Sequence, residues 1–220
     1  MWKKLTAWVR SHPYSYWLTY MLFYLAAFFL LERIVQVRYW IHCPLDDQIP
    51  LLEGFILPYL SWLVLMPASL VGYLLYDKED FLDLCFLMFG GMTIALLVFF
   101  LFPNGLQLRM ELVRDNFCSR LMGLLYRIDT PTNVCPSIHV SSSVAIAIVT
   151  LRSRLRNTHP ILAWGIAGWM FVICISTFFV KQHSVIDALC GTAMTVLLCI
   201  PVYGLDWRNR LKKTRWYFLV

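Results

Sequence analysis

Long apolar stretches alternate with short polar segments along the chain, and each long stretch is almost free of charge. The clearest stretches are residues 14–31, 54–76, 84–102, 160–180 and 184–205. Each has about the 20 apolar residues that a helix needs to cross a bilayer. Residues 136–151 are less hydrophobic, as expected for a helix that packs inside a bundle, and they open with a proline that suits a first helical turn. The pattern predicts an all-α polytopic membrane bundle of six transmembrane helices, with residues 136–151 as the fourth.

The longest gap between apolar stretches, residues 103–135, has an amphipathic pattern. Its apolar side chains recur at steps of three and four residues, at Leu106, Met110, Val113, Phe117, Leu121 and Leu124. This spacing places them on one face of a helix. It predicts an interfacial helix between the third and fourth transmembrane helices. A surface helix that only closes the loop explains most of the same residues.

The composition narrows the class of protein. Hydrophobic residues make up 60% of the 220 residues and charged residues 15%, whereas soluble domains have about 25% charged residues. One membrane domain, residues 1–220, accounts for the whole length. The net charge of +6 is compatible with nucleic acid, but the basic residues lie beside the apolar stretches, as topology signals do. The sequence therefore indicates a bilayer and no nucleic acid as partner, and it gives no sign of an oligomeric state.

The distribution of lysine and arginine predicts an orientation. Six spans place both termini on one side of the membrane, and that side collects 12 of the 19 basic residues. Because cytoplasmic segments carry the excess of Lys and Arg, the basic tails 1–13 and 206–220 are predicted to be cytoplasmic. We expect a multi-pass protein of the plasma membrane.

Ionisable residues cluster where the fifth and sixth apolar stretches meet. Lys181, His183 and Asp187 fall within seven residues, beside membrane spans in which charge is costly. His183 and Asp187 are four residues apart, so on a helix they share a face and the carboxylate can orient the imidazole. A polar pair that only joins two helices is the alternative interpretation.

Two further pieces lie on the same predicted side of the membrane. Pro136-Ser137-Ile138-His139 opens the fourth helix, and Arg109 lies in the loop after the third. A helix N-terminus, a cation and two imidazoles suit the binding and transfer of a phosphoryl group. His139 alone would be an ordinary helix-start histidine, and Arg114 rivals Arg109 as a phosphate ligand. If the set forms one site, the rings of His139 and His183 must lie within about 8 Å of each other.

The seven cysteines predict no metal site. The sequence contains no C-x-x-C pair and no Cys and His residues at zinc-finger spacing. A disulfide such as Cys118–Cys135 stays open, because pairing cannot be deduced from sequence.

The same segments carry a resemblance to a known family. Pro136-Ser137-Ile138-His139 resembles the P-S-G-H motif of the type 2 phosphatidic acid phosphatase superfamily. Residues 176–187 resemble its S-R-x5-H-x3-D motif, with Ser, His and Asp at the family's spacing. Residues 102–110 look like a degenerate K-x6-R-P motif. The three motifs follow in the family's order, and the resemblance covers roughly residues 84–205, the expected catalytic core.

The resemblance implies six transmembrane helices and a ping-pong mechanism that uses neither metal nor cofactor. It implies His183 as the nucleophile, Asp187 as its orienting partner and His139 as the general acid and base. It also implies a set of phosphate ligands, namely Arg109, Ser137 and the amide of Ile138.

The chain departs from the family pattern at four positions. Phe102, Met110, Ile138 and Thr177 stand where the family has Lys, Pro, Gly and Arg. Two phosphate-binding cations are therefore missing. Lys181 lies one helical turn beyond Thr177, where it is placed to replace one of them.

These features predict a membrane-embedded hydrolase that removes phosphate from a lipid phosphate or an isoprenyl diphosphate through a phosphohistidine. The alternative enzyme is a lipid headgroup phosphotransferase, in which a lipid hydroxyl rather than water accepts the phosphoryl group. The resemblance allows this, because some members of the superfamily act in this way in sphingolipid synthesis. The alternative from another class is a non-catalytic protein that binds anionic lipid in the same pocket, which the missing cations favour. In every case the site is expected on the external face of the membrane.

Overall fold

The computed structural model describes residues 2–205 and 207–214, with side chains from Thr6 onward, and helices account for 76% of it. Parts of both predicted basic tails, including Asp206 and residues 215–220, lie outside the described residues. The α-helices in chain order are α1 Trp2–Ser11, α2 Tyr20–Ile34, α3 Pro44–Gln48, α4 Ile56–Tyr76, α5 Lys78–Leu101, α6 Phe117–Ile128, α7 Ile138–Arg152, α8 Leu155–Thr158, α9 Pro160–Phe179, α10 Val185–Cys199 and α11 Trp207–Lys212.

Five helices in the described part of the chain are long and apolar enough to cross a membrane. With their short extensions they are Pro13–Ile34, Glu53–Tyr76, Lys78–Leu101, Pro160–Phe179 and Val185–Gly204. They correspond to five of the six predicted spans and confirm the class of all-α membrane bundle. The remaining span was predicted at residues 136–151, where α7 is apolar but has only 15 residues, or about 22 Å of helix.

Contacts between helix ends define two ends of the bundle. At one end, which we call the site end, the Ser137 amide before α7 donates to the Asp187 carbonyl of α10 at 3.0 Å. The Leu52 amide before α4 donates there to the Phe179 carbonyl at the end of α9, at 3.1 Å. Helices α7 and α10 therefore begin at the site end, and α9 finishes there.

The opposite end of the bundle holds the residues near both termini. Arg154, after α7, lies 3.7 Å from Asp77, which precedes α5. The Tyr14 ring packs on Phe81 in the first turn of α5, and the Trp207 indole donates to Asp83 at 3.2 Å. The two terminal regions therefore meet at the end away from the site.

Helix α7 lies among the other helices and packs against α4, α5, α9 and α10. Its buried positions include several hydroxyl side chains, which find partners on neighbouring helices. Ser142 accepts from the Trp62 indole at 2.8 Å, and Ser141 bonds Thr195 at 2.9 Å. The low hydropathy of this segment, expected for a helix inside a bundle, reflects these polar contacts between helices.

The third predicted span begins earlier than the sequence pattern indicates. It was predicted at residues 84–102, but α5 begins at Lys78. The Asp77 carboxylate accepts from the amides of Glu79 and Asp80, at 2.8 and 3.2 Å. Because this cap satisfies the first turn, the polar residues that look like a turn are helical.

Only the second part of the segment that was predicted as an interfacial helix is helical, and its position at the membrane interface stays a prediction. Helix α6 covers Phe117–Ile128, and the Asn116 side chain caps it by accepting from Ser119 at 2.9 Å. The first part of the gap instead forms a short strand, β2 (Asn104–Leu106), paired in parallel with β1 (Tyr39–Ile41). The pattern missed β2 because its three residues are buried by contacts with distant segments. All seven cysteines are free, so Cys118 and Cys135 form no disulfide.

Gly191 permits the closest contact between α10 and the segment before α7. A Cβ atom at Gly191 would lie 2.6 Å from the Ser137 carbonyl oxygen, a backbone atom that cannot swing away. The absence of a side chain therefore lets the two helix starts approach each other.

We expect Gly191→Ala to destabilise the protein by about 1–3 kcal/mol, the usual cost of overpacking a well-packed contact. Thermal unfolding of the full chain in detergent measures this. Gly168→Ala is the matched control, because a Cβ at Gly168 in the middle of α9 meets nothing within 4 Å. Equal melting temperatures for the two variants would contradict the close approach.

Candidate active site

His183 lies in the turn before α10, and Asp187 in the first turn of that helix holds its ring. The His183 Nδ1 atom lies 2.8 Å from an Asp187 carboxylate oxygen, and the carboxylate is fully buried. The second carboxylate oxygen accepts from the Ser184 amide at 2.9 Å. Asp187 thus caps α10 and orients His183 at once. Because a carboxylate only accepts, Nδ1 carries the proton and Nε2 presents its lone pair.

His139 lies in the first turn of α7 with its ring against two aromatic side chains of α4. The Tyr59 ring stacks on it with centroids 4.7 Å apart, and the Trp62 ring lies 4.1 Å away. The Trp62 indole is itself held by its bond to Ser142. Tyr59 and Trp62 were not predicted as site residues, because aromatic residues at helical spacing in a membrane span look like ordinary packing.

The structure brings the two predicted imidazoles together. His183 Nε2 lies 3.3 Å from His139 Nδ1, and the ring centroids are 5.4 Å apart. The two rings come from different helices, at the same end of the bundle. This arrangement suits a nucleophile on one ring and proton transfer on the other.

The start of α7 provides hydrogen-bond donors beside His139. The Ser137 hydroxyl accepts from the Val140 amide at 3.3 Å, so it caps the helix and its own O–H can still donate. Ile138 is the first residue of α7, and first-turn amides have no partner within their helix. No acidic residue lies in this first turn, so the positive end of the helix is open to an anion.

Arg109 is held in place by two backbone oxygens, one in the last turn of α6 and one just after it, and by one side chain of the turn before α10. Its Nη1 donates to the Tyr126 carbonyl at 3.0 Å, and its Nη2 donates to the Asp129 carbonyl at 2.8 Å and to Gln182 Oε1 at 3.1 Å. The guanidinium also lies over the Tyr126 ring, 4.7 Å from its centroid. Arg109 therefore reaches the residue next to His183. Arg114, its predicted rival, instead lies 3.4 Å from Glu53.

Lys181 does not point to the histidines as the structure stands. Its Nζ donates to the Asp46 backbone carbonyl at 2.7 Å, and the residue has a positive φ of 57°. Burial lowers the pKa of Lys181, while the neighbouring charges of Asp46 and Asp47 oppose that shift. The side chain thus joins the turn before α10 to α3, and its predicted role as a phosphate ligand stays a prediction.

Asp46 of α3 is a residue of the site region that the sequence did not single out. It is 1% exposed, and its carboxylate accepts from Ser184 Oγ at 2.6 Å, the Val185 amide at 2.9 Å and the Cys43 amide at 2.8 Å. Burial alone would raise the pKa of Asp46, but these bonds outweigh it and hold the pKa below its ordinary value. Two adjacent aspartates in a polar connector gave no signal that one of them is buried.

Asn104 of β2 was also missed, although it lies inside the degenerate first motif. Its Oδ1 accepts from the amides of Val134 and Cys135, at 2.9 and 2.8 Å, and its Nδ2 donates to the Cys135 carbonyl at 2.8 Å. This side chain fixes the loop that leads into Pro136-Ser137-Ile138-His139. The segment 102–110 therefore supports the second motif as well as carrying Arg109.

Thr177 occupies the position of the family's second missing cation, and its side chain turns back into α9. Its hydroxyl donates to the Cys174 carbonyl at 2.7 Å, and the residue is fully buried. Its own carbonyl accepts from the amides of Gln182 and His183, at 3.0 and 3.2 Å. Thr177 thus shapes the turn that carries His183. Within the described residues, no three His, Cys, Asp or Glu side chains are grouped to hold a metal ion.

Comparison with known families assigns the chain to one of them. The family model described as the PAP2 superfamily matches residues 94–211, more than half of the chain and all the predicted site residues. The protein belongs to this superfamily, the type 2 phosphatidic acid phosphatases. Neither the curated proteins nor the solved structures include a match to the chain.

We expect Asp46→Asn to lower the free energy of unfolding by about 1–3 kcal/mol, because the amide nitrogen that replaces one oxygen cannot accept the bonds that the carboxylate accepts. Thermal unfolding in detergent at neutral pH measures this. Because the pKa of Asp46 is lowered in the folded protein, its contribution is present at neutral pH and is lost as the pH falls through that lowered value.

Asp47→Asn is the matched control for this prediction. The Asp47 side chain is 65% exposed, and the His42 side chain that it contacts is exposed too, so little change in melting temperature is expected. If both variants melt together, Asp46 does not anchor α10.

Proposed function

We propose that the protein is a membrane-embedded phosphatase that removes phosphate from a lipid phosphate or an isoprenyl diphosphate through a phosphohistidine on His183. The observation that carries the proposal is the pair of imidazoles, 3.3 Å apart, with Asp187 bonded to the far nitrogen of His183. Membership of a superfamily of phosphoric ester hydrolases and the five apolar helices support it.

The proposed reaction begins with attack of His183 Nε2 on phosphorus. A phosphoryl group that enters between the rings replaces their mutual contact. Asp187 stabilises the positive charge that develops on the His183 ring. His139 protonates the leaving oxygen and then takes a proton from the water that hydrolyses the phosphohistidine. The N–P bond breaks as the new O–P bond forms, so the free enzyme is regenerated with no metal or cofactor.

The phosphate ligands that we propose are the predicted ones. Arg109 supplies positive charge beside Gln182. The Ser137 hydroxyl and the Ile138 amide supply donors at the start of α7. Lys181 acts on the phosphoryl group through its charge, while its Nζ stays on the Asp46 carbonyl.

We further propose a single domain with six crossings, α7 being the fourth, and a catalytic core at about residues 84–205. A short helix is tolerated there because its backbone bonds are internal and other helices surround it. Both terminal regions lie at the end opposite the site, and that end also holds the basic segment after α7. The positive-inside rule then gives cytoplasmic termini and a site on the external face of the plasma membrane.

One observation favours a headgroup phosphotransferase as a second candidate. The site has lost two family cations, and the charges of Arg109 and Lys181 lie near the aspartates Asp129 and Asp46. A site with little net positive charge suits a singly charged phosphodiester better than a doubly charged monoester. Product analysis with and without an added lipid alcohol separates hydrolysis from transfer.

We expect His183→Ala to reduce phosphate release by at least about 1,000-fold, as loss of a nucleophile does in other enzymes. The assay uses phosphatidate, phosphatidylglycerophosphate, isoprenyl diphosphate and sphingoid phosphates with the full chain. His159→Ala is the matched control, because His159 is exposed at the opposite end of the bundle. Labelled phosphohistidine that persists in His183→Ala would contradict the proposal, and its absence from an active wild type would too.

We expect Lys181→Gln to raise KM about tenfold with little change in kcat, because it removes a nearby charge. Glutamine can still donate to the Asp46 carbonyl, so anchoring is kept, whereas Lys181→Ala loses both. Steady-state kinetics of the two variants separate the effect of losing the positive charge from the effect of losing the bond to the Asp46 carbonyl. An unaltered KM and kcat in Lys181→Ala would exclude any contribution to phosphate binding.

A further inference from the structure

Gln182 stands between Lys181 and His183, and its side chain is buried against Arg109. The residue is 4% exposed, and its Oε1 accepts from Arg109 Nη2 at 3.1 Å. It belongs to none of the family motif positions and was not predicted as a site residue. The three consecutive residues have three separate partners, since Lys181 bonds Asp46 and His183 bonds Asp187.

The contact with Arg109 decides which way the Gln182 amide faces. Arginine has donors and no acceptor, so the amide oxygen must face it and the amide nitrogen must face away. That nitrogen is buried and has no hydrogen-bond partner among the residues that the structure describes. The Arg109 Nε atom is likewise buried and unpartnered within the described part. A buried donor without a partner is costly, so two on touching side chains call for an explanation.

Both unpartnered donors belong to side chains that adjoin the turn carrying His183. Gln182 precedes His183 in the chain, and their amides share the Thr177 carbonyl as acceptor. Arg109 adjoins the same turn through its bond to Gln182, the residue before His183. Burial raises the pKa of Asp129, and Arg109 and then His183 oppose that shift. An oxygen-rich anion next to His183 would satisfy both donors.

We propose that the Gln182 side-chain amide binds a non-bridging oxygen of the phosphoryl group, together with Arg109. In place of a missing motif cation, the site then uses a neutral donor that Arg109 holds in position. This inference rests on the proposed function, since it names a further ligand of the same phosphoryl group.

Two variants separate this role from a structural one. Gln182→Glu keeps an oxygen that accepts from Arg109 but replaces the nitrogen donors, so it removes only the proposed contact and adds a repelling charge. Gln182→Met removes the bond to Arg109 and the donors alike. A residue that only anchors Arg109 would tolerate Glu well and Met poorly. A residue that binds the phosphoryl group would instead tolerate Met better than Glu.

The probe is orthovanadate, a phosphate analogue, titrated by calorimetry into the full chain in detergent. We expect Gln182→Glu to weaken its binding about 10- to 100-fold, because it loses a hydrogen bond to a charged group and adds a negative charge that repels the anion. We expect a smaller loss, about tenfold, for Gln182→Met. Gln107→Glu is the matched control, since Gln107 is exposed two residues from Arg109, and it should bind as the wild type does.

The outcomes distinguish this inference from the proposed function. Vanadate binding that is equal in the wild type and Gln182→Glu overturns the role of Gln182 and leaves the phosphatase proposal standing. Weaker vanadate binding by Gln182→Met than by Gln182→Glu, which is the order expected for a residue that only anchors Arg109, overturns it too. Wild-type protein that binds no vanadate overturns the phosphatase proposal and this inference with it. Thermal unfolding of each variant shows whether it is folded.

Discussion

Asp187 makes the contacts on which the geometry of the site depends. Its carboxylate holds His183 Nδ1 and the Ser184 amide, and its backbone carbonyl accepts from the Ser137 amide. One residue thus orients the first imidazole, caps α10 and fixes the segment that carries the second imidazole. The contact between the helix starts requires the bare Gly191 backbone one turn further along. Polar contacts at this end stay strong because little water competes for them.

A second layer of contacts fixes the turn before α10. Asp46 accepts from Ser184 and Val185, and its carbonyl holds Lys181. A segment that precedes the family-matched region therefore supports the turn that carries His183, although it carries no motif. Little of a membrane protein lies outside its spans, so a short connector such as α3 provides these contacts. Charges buried in this layer are tolerated because each has a hydrogen-bonded partner.

Five of the predicted spans and the contact between His183 and Asp187 could be predicted from the sequence, because both depend on local spacing. Long apolar runs identify membrane helices without knowledge of the fold, and the i, i+4 separation of His183 and Asp187 specifies their bond. Asp46, Asn104 and Gln182 escaped prediction because their partners are far away in the chain. The start of α5 was also predicted wrongly. The Asp77 cap makes the polar residues 78–80 helical, whereas their sequence alone suggests a turn.

The two helix starts at the site differ in the charge that they offer an incoming phosphate. The N-terminus of α10 is occupied, because Asp187 lies in its first turn and the Asp46 carboxylate accepts from Val185. The first turn of α7 has no acidic residue, and the Ser137 hydroxyl is its cap. The favourable helix dipole is thus neutralised at the start of α10 and available at the start of α7. An anion is drawn toward the Ile138 amide and His139, and His183 Nε2 faces that side. In the proposed reaction, this asymmetry orients the phosphoryl group without the two cations that the family pattern contains.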